Sequence, residues 1–461
     1  MVARRCRRLL LVLLLLVFWS LTTHGKYTDS GDEPHYLMVA QSLWADRDFD
    51  LGNNYAQDQG SVFGAAGLQH ERHAVPARDG ALRPVHDVGV AVALLPAYVL
   101  ATTVAPRVPA RLLTRFRMNR GLFAYALMTF AVMAVVLLAA SATFTALLQR
   151  AHSPATAAVI VFALWATAPV LANAYEVFPE PFALLATAWG IREWTSDPAR
   201  WTRRSWVLLA ALGLLPWFHR KYLLYAVSVA AVVLWQKRQT MARLSAVEWV
   251  AAGALLALPS AVLAAWTYHY WGSVGGPLTL EGAPFSLARF AYGGPGLLID
   301  RENGLFWWAP VCILAPAALA LDRSRLLWLA PIAALFIPSA AHEQWWAGFS
   351  PACRFLVPLM PILSLVGADL LRNRGARVAI LLLLVPQAII AAYGWQHPHD
   401  LWPHGDGHNR VVSALLGGGA DQWLPSFRVP SPSTWTTALA VMAAIVVLNV
   451  AVSARIRGAS R

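Results

Sequence analysis

The chain has 461 residues, 58% of them hydrophobic and only 13% charged, about half the roughly 25% charge of soluble domains. That excludes an ordinary soluble enzyme, and the formal charge of +13 sits on basic residues that punctuate apolar segments, a pattern that reports membrane orientation and not nucleic acid. Cys6, Cys312 and Cys353 form neither a CxxC pair nor an even-numbered framework, so neither a zinc site nor a disulfide scaffold is indicated.

In chain order, Arg4-Arg5-Cys6-Arg7-Arg8 precedes an apolar run from Leu9 to Leu21. No A-x-A-like cleavage site follows, so a retained first span with a cytoplasmic N-terminus is expected. Further spans are expected at roughly 121 to 148, 155 to 172, 179 to 192, 205 to 218, 221 to 235, 246 to 268, 304 to 321, 326 to 340, 355 to 371, 377 to 394 and 435 to 452. With the first, the fold class is an all-α integral membrane protein of about twelve transmembrane helices, multi-pass in the cell (inner) membrane.

The segment 87 to 105 is apolar enough to span but would reverse everything after it. If it stays on one side, the arginines and lysines at 200, 203, 204, 237, 238, 243, 323, 325, 372, 374, 377, 455, 457 and 461 all fall in the cytoplasm. It is therefore read as a juxtamembrane or re-entrant segment bent at Pro96. Arg107, Arg111 and Arg115 then form part of an amphipathic stretch on lipid headgroups. Most acidic residues fall on the extracytoplasmic side, chiefly in loops 24 to 120, 173 to 180, 269 to 303, 341 to 354 and 395 to 434. There is no GxxxxGK[ST] and no GxGxxG after a strand, so an outward site needs an activated substrate that arrives through the membrane.

The richest outer stretch is Asp29-Ser30-Gly31-Asp32-Glu33-Pro34-His35-Tyr36. Asp32 at a helix start suits a general base, because amide dipoles favour its ionised form and Pro34 fits the first turn. The same placement equally suits a plain N-cap, with Glu33 in the first turn. Asp46, Asp48 and Asp50 superficially resemble a calcium loop but lack its glycine and final glutamate. Glu176 and Glu180, the latter between two prolines, form a second acidic point facing a cavity, a partner or solvent. Arg220, Lys221, Arg301 and Arg354 are candidates for a lipid phosphate, since arginine reaches two oxygens at once. Headgroup anchoring beside Trp345 and Trp346, or pairing of Arg301 with Asp300 and Glu302, are the alternatives. His86-Asp87 orients an acceptor or simply packs, while His397, His399, His404 and His408 read as loop filler.

Asp32-Glu33, the segment opened by Pro84-Val85-His86-Asp87-Val88-Gly89, and the turn Glu176 to Glu180 resemble the membrane module of the glycosyltransferase C superfamily. The likeness is greatest to the branch with protein O-mannosyltransferases and lipid A aminoarabinose transferases. The resemblance covers about the first 235 residues, and Trp345-Trp346 to Arg354 looks like a late-loop basic motif of bacterial relatives. It implies juxtamembrane helices in the first outer loop and a catalytic module at 1–235 that includes loop 24–120. Residues 236–461 would then be variable C-terminal transmembrane helices without a soluble domain. It also implies a polyprenyl-phosphate-linked sugar as donor, an inverting transfer to a lipid, glycan or protein acceptor, and Asp32 as the base with Glu33 its neighbour. His35, Tyr36, His86, Asp87, Glu176 and Glu180 belong to the acceptor or second acidic site, and Arg354 is a candidate for the donor phosphate. The residues single out no cofactor; a divalent cation held by the paired acidic motifs is the alternative, and it would do part of the arginines' work. A transporter or flippase of a lipid-linked sugar would use the same charged cavity without bond making.

Overall fold

The computed structural model describes residues 1–23, 31–277, 286–321 and 323–458, without the side chains of 20–23, 320 and 323. Asp29, Ser30 and Arg461 lie outside the described residues. The chain is mostly helical over its described residues. Its first half runs α1 (Val2–Thr23), α2 (Glu33–Ala45), α3 (Gly52–Ala56), α4 (Gly89–Val104), α5 (Ala110–Arg115), α6 (Arg120–Gln149), α7 (Pro154–Trp165), α8 (Ala168–Leu171), α9 (Glu180–Trp194), α10 (Arg203–Phe218) and α11 (Tyr222–Gln236). The second half runs α12 (Arg238–Met241), α13 (Ala246–Trp271), α14 (Leu287–Ile299), α15 (Leu305–Trp308), α16 (Leu329–Ala341), α17 (Met360–Arg372), α18 (Arg374–Gln396), α19 (Arg410–Leu416) and α20 (Thr434–Gly458), with 3-10 turns between. One hairpin, β1 (Ala74–Pro76) with β2 (Leu82–Pro84), interrupts the first outer loop.

The helix boundaries follow local chemistry. Asn119 caps α6 by accepting the Leu122 amide at 2.7 Å, Thr202 with Ser205 and Ser245 with Glu248 form capping boxes for α10 and α13, and proline opens α7, where its missing N–H costs nothing. Valines and leucines along α13, α18 and α20 stay exposed, Val250, Leu382 and Val447 among them. An apolar face turned outward on a long helix suits lipid, where only intrahelical bonds satisfy the backbone. By length and composition, seven helical stretches among the described residues can cross a membrane, with shorter apolar helices at Pro154–Trp165, Tyr222–Gln236 and Pro310–Leu319. The expected figure of about twelve is therefore not reached by that measure, because several apolar helices are too short to count alone.

Residues 89–107 are one of the seven, and the chain enters and leaves this stretch near the same cluster of residues. The segment is entered at Asp87, which holds Arg220 at 2.6 Å. The chain resumes at Gly121, where a Cβ would lie 2.5 Å from the Gly64 amide, and Tyr125 one turn on donates to Glu33 at 2.9 Å. The far end of α6 instead meets α9's end, where Thr195 donates to Gln149 at 2.8 Å. Entry and exit thus share the Asp32 end of the bundle, as a juxtamembrane helix requires. All five arginines from 107 to 120 are exposed.

Candidate active site

The site grows from the start of α2. Asp32 is the N-cap residue, but its side chain makes no cap hydrogen bond, so its carboxylate is left for other partners. Gly31 lets it reach them. At φ +52°, a Cβ here would lie 2.5 Å from the Phe349 carbonyl oxygen, and only glycine permits that approach. The 341–354 loop thereby abuts Asp32. Within it Cys353 adopts φ 61°, a left-handed conformation that costs about 1–3 kcal/mol and is held only by its surroundings. Its thiol donates to the Asn303 carbonyl at 3.2 Å. The turn aims Arg354 inward.

Arg354 meets Asp32 Oδ2 at 3.4 Å through both terminal nitrogens and Glu180 Oε2 at 3.1 Å through Nε. Its guanidinium carbon lies 3.6 Å from the centre of the Phe178 ring, a cation–π seat. Glu180 is fully buried and also accepts Lys221 Nζ at 2.7 Å, so it is neither a solvated turn residue nor unpaired. Lys221 sits 4.1 Å over the Phe355 ring. Asp32, Arg354, Glu180 and Lys221 therefore form one chain of alternating charges joining four segments distant in sequence.

The other face of Asp32 meets histidines. Its Oδ1 lies 3.8 Å from His73 Nδ1 and 3.8 Å from His86 Nε2, and those two nitrogens are 2.9 Å apart. The hairpin brings them together. Ala74 pairs with Pro84 around the Asp79-Gly80 turn, where Gly80 takes φ +81°, so the residues flanking the strands converge. His35 stacks on His73 at 3.6 Å and 9° and shares a 2.7 Å hydrogen bond with the Tyr55 hydroxyl. Tyr36, buried, lies against His86 at 5.2 Å.

Burial alone would push the Asp32 carboxyl up, but the surrounding His86, Arg354, His73 and His35 outweigh it and hold it at about 2. Burial also takes His35 down to about 3 and lowers His73. Arg354, which does not lose its proton at any ordinary pH, is the permanent cation beside Asp32. The Asp32 side chain is 28% exposed, and a cleft of about 560 Å³ opens over His35 and His73, lined by residues 64 to 69 and Glu71.

Several expected site residues are placed elsewhere. Glu33, expected beside Asp32, is fully buried, and its Oε1 accepts Tyr125 Oη at 2.9 Å and the Val177 amide at 2.6 Å. It ties the first loop to α6 and the acidic turn, because adjacent helical residues point about 100° apart. Glu176 is likewise fully buried. Asp87 accepts the Arg220 side chain at 2.6 and 3.1 Å and its backbone amide at 2.9 Å, so both are largely spent on each other. The Arg301 backbone is bound to Pro425 and Asn409, and among the described residues no ion pair joins it to the Asp32 cluster. Asp300 and Glu302 do not neutralise it. They accept backbone amides of Asn303, Phe427, Gly405 and Gly407.

Asp46, Asp48 and Asp50 are engaged by Asn54, Ser42 and Gly52, as turn residues and not as a calcium loop. Trp345 is 4% exposed and packs over Gly293 and Gly296, so it is no interfacial belt residue. Sequence reasoning missed His73, Tyr55 and Phe178 as site components. The Asp79-Gly80 turn was the one signal that could have paired His73 with His86.

Fold and site together define a mostly helical membrane protein with an ionisable chamber at one end of its helix bundle. No known protein family matches the sequence, and no curated protein matches it. Among solved structures the chain is similar to ArnT from Cupriavidus metallidurans, crystallised with undecaprenyl phosphate, at 15% identity. The match covers 98% of this chain and 74% of that one, with a TM-score of 0.45.

Proposed function

We propose that the chain is a membrane glycosyltransferase that moves a sugar, with inversion, from a polyprenyl-phosphate donor to a hydroxyl of an extracytoplasmic acceptor, with Asp32 as general base. One observation carries the reading: a carboxylate unspent on its own helix stands 3.4 Å from a buried guanidinium and 3.8 Å from His73, which lines an open cleft. In the reaction Asp32 takes the proton of the acceptor hydroxyl. The oxygen attacks the anomeric carbon, and the bond from that carbon to the lipid phosphate oxygen breaks on the opposite face. Arg354 and Lys221 stabilise the charge that gathers on the leaving phosphate.

The charge balance fits the timing. At rest Arg354 and Lys221 are matched by Asp32 and Glu180. Protonation of Asp32 removes one counter-charge from Arg354 as the phosphate acquires its own, so the site becomes more cationic only when the leaving group needs it. Glu33, Asp87 and Arg220 hold the first loop in place.

The proposed orientation puts this chamber outside. The opposite end of the bundle gathers Arg150, Arg325, Arg372 and Lys237, with Gly375 against the Arg455 backbone, as the excess of basic residues on the cytoplasmic side requires.

The test is Asp32→Asn in reconstituted membranes supplied with polyprenyl-phosphate sugar. A fall in transfer of roughly 10²–10⁴-fold, with folding and donor binding retained, is expected. Undiminished transfer removes Asp32 from its role, and translocation of donor without transfer by the wild type would favour a flippase.

A further inference from the structure

We infer that Asp32, His73 and His86 form a binding site for one divalent transition-metal ion of the zinc class, with an open position toward the cleft. Among the described residues these three form a group whose ligand atoms, one from each, all lie within 4.8 Å of one another. Their separations are 2.9, 3.8 and 3.8 Å. A tetrahedral ion with bonds of about 2.0–2.1 Å needs its ligand atoms roughly 3.3 Å apart, a value these distances bracket. Small ring rotations suffice to close the site.

The surroundings fit ligation. At 2.9 Å one of the two imidazoles must present a proton to the other when no ion is bound, and an ion takes that proton's place between the two lone pairs. The His73 ring plane is set by its stack on His35, which Tyr55 orients, and a preset ring is what a metal ligand requires. Asp32 can serve two cations, because Arg354 approaches Oδ2 while Oδ1 faces the histidines. The repulsion between Arg354 and the ion is blunted by Glu180, 3.1 Å from the guanidinium. Two imidazoles and one carboxylate select zinc-like ions over calcium or magnesium. Three protein ligands leave a fourth position for water or a substrate oxygen. The side chains are 28%, 26% and 19% exposed, so an ion can enter from the cleft. Bound there, it would lower the pKa of an acceptor hydroxyl in that fourth position. This use rests on the transferase reading, whereas ion binding does not.

The full chain, purified in detergent and stripped with chelator, is titrated with zinc chloride. Bound zinc is measured by mass spectrometry, and X-ray absorption reports the ligands. One ion per chain is expected, with two imidazoles and otherwise oxygen. His73→Ala and His86→Ala should each weaken it by more than the roughly 10–100-fold that outer-shell partners are worth, while a His399→Ala, His404→Ala, His408→Ala triple variant keeps it. No retained zinc, an absorption spectrum without imidazole, or unchanged affinity in both single variants overturns the site, as does loss confined to the triple variant. The absorption measurement on the wild type decides the matter if a variant fails to fold. Zinc bound as described by a protein that transfers no sugar would leave the site standing and overturn the transferase reading.

Discussion

Two partly buried carboxylates, one at each end of the bundle, face several basic groups and are treated differently. Asp369 accepts His152 Nε2 at 2.8 Å, holds Arg325 in direct contact and has Arg150 at 3.7 Å, with its side chain 10% exposed. Asp32 has its basic neighbours at 3.4, 3.8 and 3.8 Å and is 28% exposed. The first cluster is saturated. The second is loose, so a ligand can enter without first breaking a full set of bonds. Lys237 belongs with Asp369: fully buried, it donates to Ser196, Asp197 and Arg200 and pairs with Glu193 at 3.1 Å. Closed clusters at one end hold helices together, and the open one at the other end is where chemistry can occur.

The comparison can be broken most directly by removing each carboxylate. Asp369→Ala leaves Arg325 and His152 without their anion, and loss of one partner from a buried pair costs about 3–5 kcal/mol. Thermal unfolding in detergent should show a large fall or no folded protein. Asp32→Ala leaves Arg354 on Glu180 and should cost about 1 kcal/mol. Equal losses would erase the distinction.

Lys237→Met should follow, at about 3 kcal/mol, because Glu193 is then stranded. Adding Glu193→Gln should restore much of the loss in the same assay. A double variant no better than the single one would mean that the pair is not the unit.

Arg354→Lys sharpens the account of the open end. It keeps the charge but loses the planar fork, and hydrogen bonds to charged groups are worth about 1.5–3 kcal/mol. Sugar transfer should fall roughly 10–100-fold, with stability little changed. A variant as active as wild type would mean that charge alone suffices. The smallest effect belongs to Arg410→Ala, whose exposed partner Asp406 is four residues away. Surface pairs of this kind are worth about 0.5 kcal/mol or less, and a larger change in unfolding would mean that the outer loop is more tightly coupled than its exposure implies.

Particular residues mark how far the sequence could be read. Asp32 was singled out because aspartate, glutamate and proline open a helix in the first outer loop, but capping and catalysis ask for the same residues there. The absent cap bond separates them. Glu33 looked like its partner through adjacency, yet one step along a helix sends it to Tyr125. Arg354 was legible as a phosphate candidate, though not as the neighbour of a residue 322 positions earlier. His73 was one histidine among many until the hairpin set it against His86.

By itself the sequence determined the solvent of this protein and the bounds of helices such as α11 and α18, because hydropathy, caps and prolines act over a few residues, whereas the expected spans at 155–172 and 304–321 break into shorter helices and 3-10 turns. It also determined which end of the bundle is basic, since charge between spans needs no tertiary contact to be counted. Only the tertiary structure decided which ionisable groups meet and which are spent on one another. A carboxylate's role depends on what stands within about 4 Å of it, and here those neighbours come from a hairpin, a strained turn at Cys353 and the start of α9, which only folding brings together.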